Sequence, residues 1–174
     1  KRVDLRALPL VTIDGEDAKD FDDAVYCEPD AKGFRLIVAI ADVSHYVHPG
    51  TALDDGAVLR STSVYFPGFV VPMLPEALSN GICSLQEAQP RLTKSAFIRY
   101  DAAGQVVSTR FANTIIRSRK RLTYRQAQAV IDDAKGEGQP YTKGLLEAPI
   151  NPNVPVVPPE VRTLLVHMDR LARI

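Results

Sequence analysis

The spacing of apolar and polar positions divides this chain into strands first and helices later. An extended entry begins at Leu5 and ends in Leu10-Val11-Thr12-Ile13, whose β-branched residues favour a pleated strand. Asp14-Gly15 breaks it. Ala24 to Cys27 reads as a second short strand, Pro29 to Gly33 as a turn, and Phe34 to Ala41 as a third strand. The third strand is so continuously apolar that it belongs at the centre of a sheet with both faces covered. After a loop from Asp42 to Gly50, the Thr51 hydroxyl is placed to cap a helix running to about Arg60, with Leu53, Ala57 and Val58 on its apolar face. Ser61 to Pro75 is punctuated by Pro67, Gly68 and Pro72 and reads as an irregular loop ordered by packing. Glu76 to Asn80 reads as a short helix stopped at Asn80-Gly81.

Alternation then returns. Leu92 to Asp101 and Gln105 to Ile116 form two strands around Ala102-Ala103-Gly104, a hairpin with one face toward the core. Thr123 caps a helix from Tyr124 to Ala134, with Ala127, Val130, Ile131 and Ala134 on one side. Residues 136–159 are rich in proline and read as an exposed connector. Residues 160–174 form a final helix with Val161, Leu164, Leu165, Met168 and Leu171 at spacings of three and four. Its stripe meets no stop signal, which gives the expectation that the domain continues beyond Ile174. The fold class is therefore α/β of the α+β type: a mixed, largely antiparallel, curved sheet with helices packed outside it.

Composition adds bounds. With 174 residues, 45% hydrophobic and 24% charged, the chain has the make-up of one globular domain with a substantial core. No apolar run approaches the roughly 18 residues of a membrane span, and Lys1-Arg2-Val3-Asp4 lacks the apolar core of a signal peptide. Cys27 and Cys83 are isolated and fit neither a zinc pattern nor a disulfide framework, so a reducing cytoplasm is the expected location. Basic and acidic residues balance at 21 each, so net charge does not argue for a nucleic-acid partner. Their distribution is uneven: an acidic cluster near the start is answered by Arg110, Arg117, Arg119, Lys120, Arg121 and Arg125.

That acidic cluster is Asp14-Gly15-Glu16-Asp17-Ala18-Lys19-Asp20-Phe21-Asp22-Asp23, six carboxylates and one lysine between two apolar runs. Held at the edge of a core, like charges must converge on a cation or remain solvated. A hard divalent ion such as magnesium accepts oxygen ligands and binds substrate phosphate, which suits phosphodiester hydrolysis. A calcium loop of the EF-hand type does not fit, because counting from Asp14 puts Lys19 at the glycine position and counting from Asp17 puts Asp22 there. Asp14-Gly15-Glu16 lacks the hydroxyl residue of an aspartic protease, and the strands that follow do not suit an all-helical terpene cyclase. A solvated acidic turn without chemistry remains the alternative.

Thr12-Ile13-Asp14-Gly15-Glu16-Asp17-Ala18-Lys19-Asp20-Phe21-Asp22-Asp23-Ala24 closely resembles the signature of the RNase II/RNase R family of exoribonucleases, with its RNB catalytic domain. Val38 to Ser44, Ser63 to Gly68, Pro72 to Glu76, Leu78 to Leu85 and Arg121 to Tyr124 are similar to that family's later blocks, in order. The resemblance implies a magnesium-dependent, processive 3′-to-5′ hydrolytic exoribonuclease that acts on single-stranded RNA and releases nucleoside 5′-monophosphates. It implies that Asp14 and Asp23 bind metal directly and Asp20 through water, and that loss of Asp22 stops hydrolysis while leaving RNA bound. Tyr65 matches an aromatic that stacks near the terminal nucleotide; from the residues alone, the simpler reading is that Tyr65 and Phe66 roof the core. The chain resembles only the first part of that catalytic domain, so the implied partners are the rest of the domain and flanking OB-fold RNA-binding domains. By itself it is expected to be inactive. The rival reading is a noncatalytic metal- or RNA-binding module that keeps the fold.

Arg117, Arg119 and Arg121 are candidates for RNA phosphate, against the simpler reading of a solvated strand edge. His45 and His48 have no third nitrogen or thiolate nearby and read as structural.

Overall fold

The computed structural model describes residues 1–136 and 154–174. Nine strands and three α-helices are found among them: β1 (Val3–Asp4), β2 (Val11–Asp14), β3 (Asp23–Asp30), β4 (Gly33–Ala41), α1 (Ala52–Arg60), β5 (Val64–Phe66), β6 (Phe69–Val71), β7 (Pro90–Asp101), β8 (Val106–Arg117), β9 (Lys120–Thr123), α2 (Tyr124–Lys135) and α3 (Pro159–Ala172). A 3₁₀ turn covers Val43–His45 and a π-helical turn Ala77–Ile82. Seven strands form one sheet in the order β1-β8-β7-β4-β3-β2-β9, while β5 and β6 make a separate hairpin. The outer pairs β1·β8 and β2·β9 are parallel and the pairs between them antiparallel, so the mixed, mostly antiparallel α+β architecture expected from the pattern is present.

Period-two alternation divides the core between the two faces of the sheet. Leu10, Ala24, Ile37, Ala39 and Ala41 join Cys83, Leu85 and Ile116 in one cluster, closed by Val43, Tyr46 and Leu78 from the 3₁₀ and π turns. Val11, Cys27, Phe34 and Leu122 form the other, beneath Ala127 and Val130 of α2 and Val161, Leu164 and Leu165 of α3. Each fully buried Val or Leu of that helical layer contributes about 1.5–3 kcal/mol. Helix α2 starts in a capping box, in which Thr123 Oγ1 accepts from the Gln126 amide and the Gln126 side chain accepts from the Thr123 amide. Pro159 opens α3 at a position that has no helical partner for an N–H.

Four expectations need correction. β4 is the middle strand, but it is not covered along both faces: Arg35 is exposed and Ile40 is 46% exposed. The helices cover one face near Phe34, whereas the turns cover the opposite face near Ile37 to Ala41. Helix α1 forms under its Thr51 cap but buries nothing, with Val58 70% exposed. Pro29 lies in β3 rather than in a turn. Since β2 pairs with β3 only at Val11 and Val25, no ladder bond on that side needs an N–H at Pro29. The turn shrinks to Ala31-Lys32, and β4 enters through Gly33, where a Cβ would stand 2.1 Å from the Tyr100 carbonyl oxygen. Finally, Ser61 to Pro75 holds the β5–β6 hairpin rather than an irregular loop. Its turn is Phe66-Pro67-Gly68-Phe69 with Gly68 at φ +87°, the residue types that favour a type II turn. Most of the proline-rich connector, 137–153, lies outside the described residues.

Candidate active site

The acidic stretch is the connection between β2 and β3, and both of its ends are set by strand register. Asp14 is the last residue of β2 and Asp23 the first of β3. On the other side of β2, the short strand β9 pairs in parallel, Asp14 opposite Thr123. Because Thr123 is also the N-cap of α2, the positive end of that helix sits beside the strand end carrying Asp14, where negative charge is favoured. β9 was not legible as a strand: Lys120-Arg121-Leu122-Thr123 is short and half charged, and it extends only because β2 offers an open edge.

The loop itself has little internal support. Between Gly15 and Asp22 the one backbone hydrogen bond within it, among the described residues, is Ala18 N–H to Gly15 O at 3.4 Å. Its shape comes from outside. Leu85 N–H donates to Phe21 O (2.9 Å) and Ala41 N–H to Asp22 O (2.8 Å). Ser84 Oγ donates to Lys19 O (2.7 Å) and accepts from Phe21 N–H (3.2 Å). Arg121 Nη2 donates to Gly15 O (2.5 Å) and Glu16 O (3.0 Å), and its guanidinium lies 5.4 Å from the Phe21 ring centroid. Phe21 packs into the core cluster shared with Cys83 and Leu85.

Asp22 and Asp23 feel the charge of neighbouring aspartates. Partial burial, then the charges of Asp20, Asp23 and Asp14, push the Asp22 carboxyl above its ordinary range. Burial and then Asp14 do the same to Asp23. Among the described residues, no ion pair reaches Asp14, Asp20, Asp22 or Asp23; the one carboxylate of the stretch that is paired is Glu16, 3.7 Å from Arg125. An all-carboxylate donor set with uncompensated charge suits a hard divalent cation. The side chains are not drawn together as a ligand set, however: no group of three or more His, Cys, Asp or Glu positioned to hold a metal is found among the described residues. Mutual repulsion of the carboxylates opposes their approach.

Beside the loop lies an open cleft of about 910 Å³, lined by Asp17, Lys19 and Asp20, by Tyr65 and Phe69 of the hairpin, and by Asn80 of the π turn. The structure thus brings Asp20 and Tyr65 together: the Tyr65 hydroxyl donates to Asp20 Oδ2 at 3.3 Å. The Asp20 charge, followed by burial, raises the Tyr65 phenol. Tyr65 is 66% exposed, so it does not roof the core. Its neighbours Phe66 and Phe69 stack on each other with centroids 4.8 Å apart.

The basic candidates separate. Arg121 is turned onto the acidic loop, as described. Arg119 pairs with Glu160 of α3 at 2.9 Å, and Arg117 is exposed on the wall of a second cleft with Arg6 and Arg119. His45 and His48 are exposed, with His45 edge-on to Tyr46. Nothing in the spacing of Ser84 and Leu85 along the sequence shows that they meet a loop more than sixty positions away.

The RNB domain model matches residues 2–173 of the chain. Ribonuclease R of Acidithiobacillus ferrooxidans is 58% identical over 130 residues, 75% of this chain and 30% of that protein. The solved structure of Mycoplasma genitalium RNase R in complex with double-stranded RNA superposes with a TM-score of 0.84 at 34% identity, covering 99% of this chain and 27% of its own. Yeast Ssd1, a pseudonuclease, shares the fold alone, with a TM-score of 0.67 at 20% identity over 81% of this chain and 17% of its own. The chain spans less than a third of the length of each of these proteins.

Proposed function

The chain belongs to the RNB domain family, and from that membership we propose that it supplies the carboxylate half of an exoribonuclease active site. The reaction is hydrolytic, runs from the 3′ end of single-stranded RNA and releases nucleoside 5′-monophosphates. The observation that carries this reading is that Asp14, Asp20, Asp22 and Asp23 all lie on the single connection from the end of β2 to the start of β3, whose Asp20 lines a cleft together with Tyr65. Asp14 and Asp23, at the two strand ends, would hold magnesium directly, and Asp20 would hold it through water. A bound magnesium ion supplies charge stabilisation at the phosphate and eases deprotonation of water. Asp22 accepts a hydrogen bond from the attacking water and orients it. Tyr65 offers an open aromatic face on which any base can stack, which suits a nuclease without sequence preference.

The remaining groups that grip phosphate and base belong to the rest of the catalytic domain, with OB-fold domains delivering single-stranded RNA, in the cytoplasm. No helix among the described residues is long and apolar enough to cross a membrane. The test is 5′-labelled single-stranded RNA incubated with the natural full-length protein that carries this sequence, with and without magnesium. Stepwise loss from the 3′ end that needs the metal and disappears in Asp22→Asn, with RNA still bound, is the expected result. RNA binding without cleavage under every metal condition points instead to a noncatalytic module.

A further inference from the structure

We propose that Ser84 and Arg121 are positioning residues for the acidic loop, Ser84 setting the segment that presents Asp20 and Asp22 and Arg121 the segment that follows Asp14. The inference rests on the reading of the loop as a metal and hydrolysis site, and goes beyond it by assigning what holds the carboxylates in place.

Ser84 is fully buried, at 0% exposure, and its hydroxyl is spent on two backbone groups of the loop, Lys19 O and Phe21 N–H. Those two groups flank Asp20. The neighbouring Leu85 amide donates to Phe21 O, so three hydrogen bonds to one two-residue segment grip the chain from Lys19 to Phe21, on either side of Asp20 and just before Asp22. Ser84 is itself anchored, its carbonyl accepting from Arg91 Nε at 2.8 Å. A hydroxyl is costly to bury in this apolar cluster unless it is bonded, and its partners here are loop backbone atoms. Arg121 serves the other half. Its guanidinium bridges the Gly15 and Glu16 carbonyls and rests against the Phe21 ring, joining the start of the loop to the part that Ser84 holds. Parallel pairing of β9 with β2 places it there, opposite Thr12 and two residues short of Asp14. With one weak backbone bond of its own, the loop takes its shape from outside contacts, these two side chains together with the Leu85 and Ala41 amides.

Residues that orient ligands without touching metal typically change metal affinity or activity by about 10- to 100-fold when removed. The experiment compares wild type, Ser84→Ala, Arg121→Met and Arg121→Lys in the natural full-length protein. Calorimetric titration with Mn²⁺ in the absence of RNA gives metal affinity, and hydrogen exchange reports the Phe21 and Leu85 amides. Cleavage kinetics give kcat and the magnesium requirement. Ser84→Ala and Arg121→Met are expected to bind Mn²⁺ about 10-fold or more weakly and to turn over correspondingly slowly. Faster exchange at Phe21, RNA affinity within about twofold of wild type and partial recovery in Arg121→Lys are expected with it. A folded Ser84→Ala with wild-type Mn²⁺ affinity and kcat overturns the proposal. Should Ser84→Ala fail to fold, Arg121→Met decides: unchanged metal affinity with weakened RNA binding makes Arg121 an RNA contact and overturns its positioning role. A wild type that neither binds Mn²⁺ nor cleaves RNA defeats the functional reading itself, an outcome distinct from variants that match an active wild type.

Discussion

Truncating Tyr65 separates stacking from charge at the cleft. The ring is 66% exposed and its hydroxyl donates to Asp20 at 3.3 Å, so it contributes little to stability. Tyr65→Ala should therefore leave folding free energy within about 0.5 kcal/mol of wild type. Its effect on RNA is larger. Stacking of one base on an aromatic side chain is worth about 1–3 kcal/mol, and 1.4 kcal/mol is tenfold in affinity, so the dissociation constant should rise by about 5- to 150-fold. Tyr65→Phe keeps the ring and loses an exposed hydrogen bond, so it should bind within about twofold of wild type. Fluorescence anisotropy with labelled single-stranded RNA, in an Asp22→Asn background so that RNA is not consumed, measures all three. The salt dependence supplies a second check. Phosphate contacts set the slope of log affinity against log salt, and a stacking residue should lower the affinity at every salt concentration without changing that slope. Wild-type affinity in Tyr65→Ala would refute the stacking role; equal losses in Phe and Ala would transfer it to the hydroxyl.

Two further predictions follow from charge placement. Asp22 is held above its ordinary range by partial burial and three like charges, so the native state binds the proton more tightly than the unfolded chain and its ionisation is destabilising. Asp22→Asn should accordingly raise the metal-free melting temperature at pH 7, with the gain shrinking as pH falls through the raised pKa toward 4; a lower melting temperature at pH 7 would contradict this. Asp42 behaves oppositely. Burial alone would raise its carboxyl, but hydrogen bonds from Arg2 and Ser44, and the charges of Lys94 and Arg2, bring it below the ordinary value. Its contribution is therefore complete above about pH 4 and is lost as pH falls through the depressed pKa. Asp42→Ala should cost about 2 kcal/mol at pH 7, since the 2.6 Å bond from Arg2 is charge-assisted, and the deficit should narrow in acid melts.

Sequence legibility differed sharply among elements. Helices α2 and α3 and strands β7 and β8 could be read because each carries a sustained periodic pattern and, for α2, a cap at its start. The β5–β6 hairpin was hidden because its six strand positions are all apolar or aromatic and all exposed, so no alternation marks an inner face. Helix α1 misled in the reverse way, showing an apolar face that nothing among the described residues covers.

The order of the carboxylates, their flanking strands and the aromatic at Tyr65 are local features, and the amino-acid sequence alone determined them. Bond partners across long separations are not local. That Asp20 meets Tyr65, that Ser84 closes on Lys19 and Phe21, and that Arg121 turns toward Gly15 and Glu16 depend on which strand edges pair and in what register. Only the tertiary structure decided these, because a loop with almost no hydrogen bonds of its own takes its shape from whatever the rest of the fold brings against it.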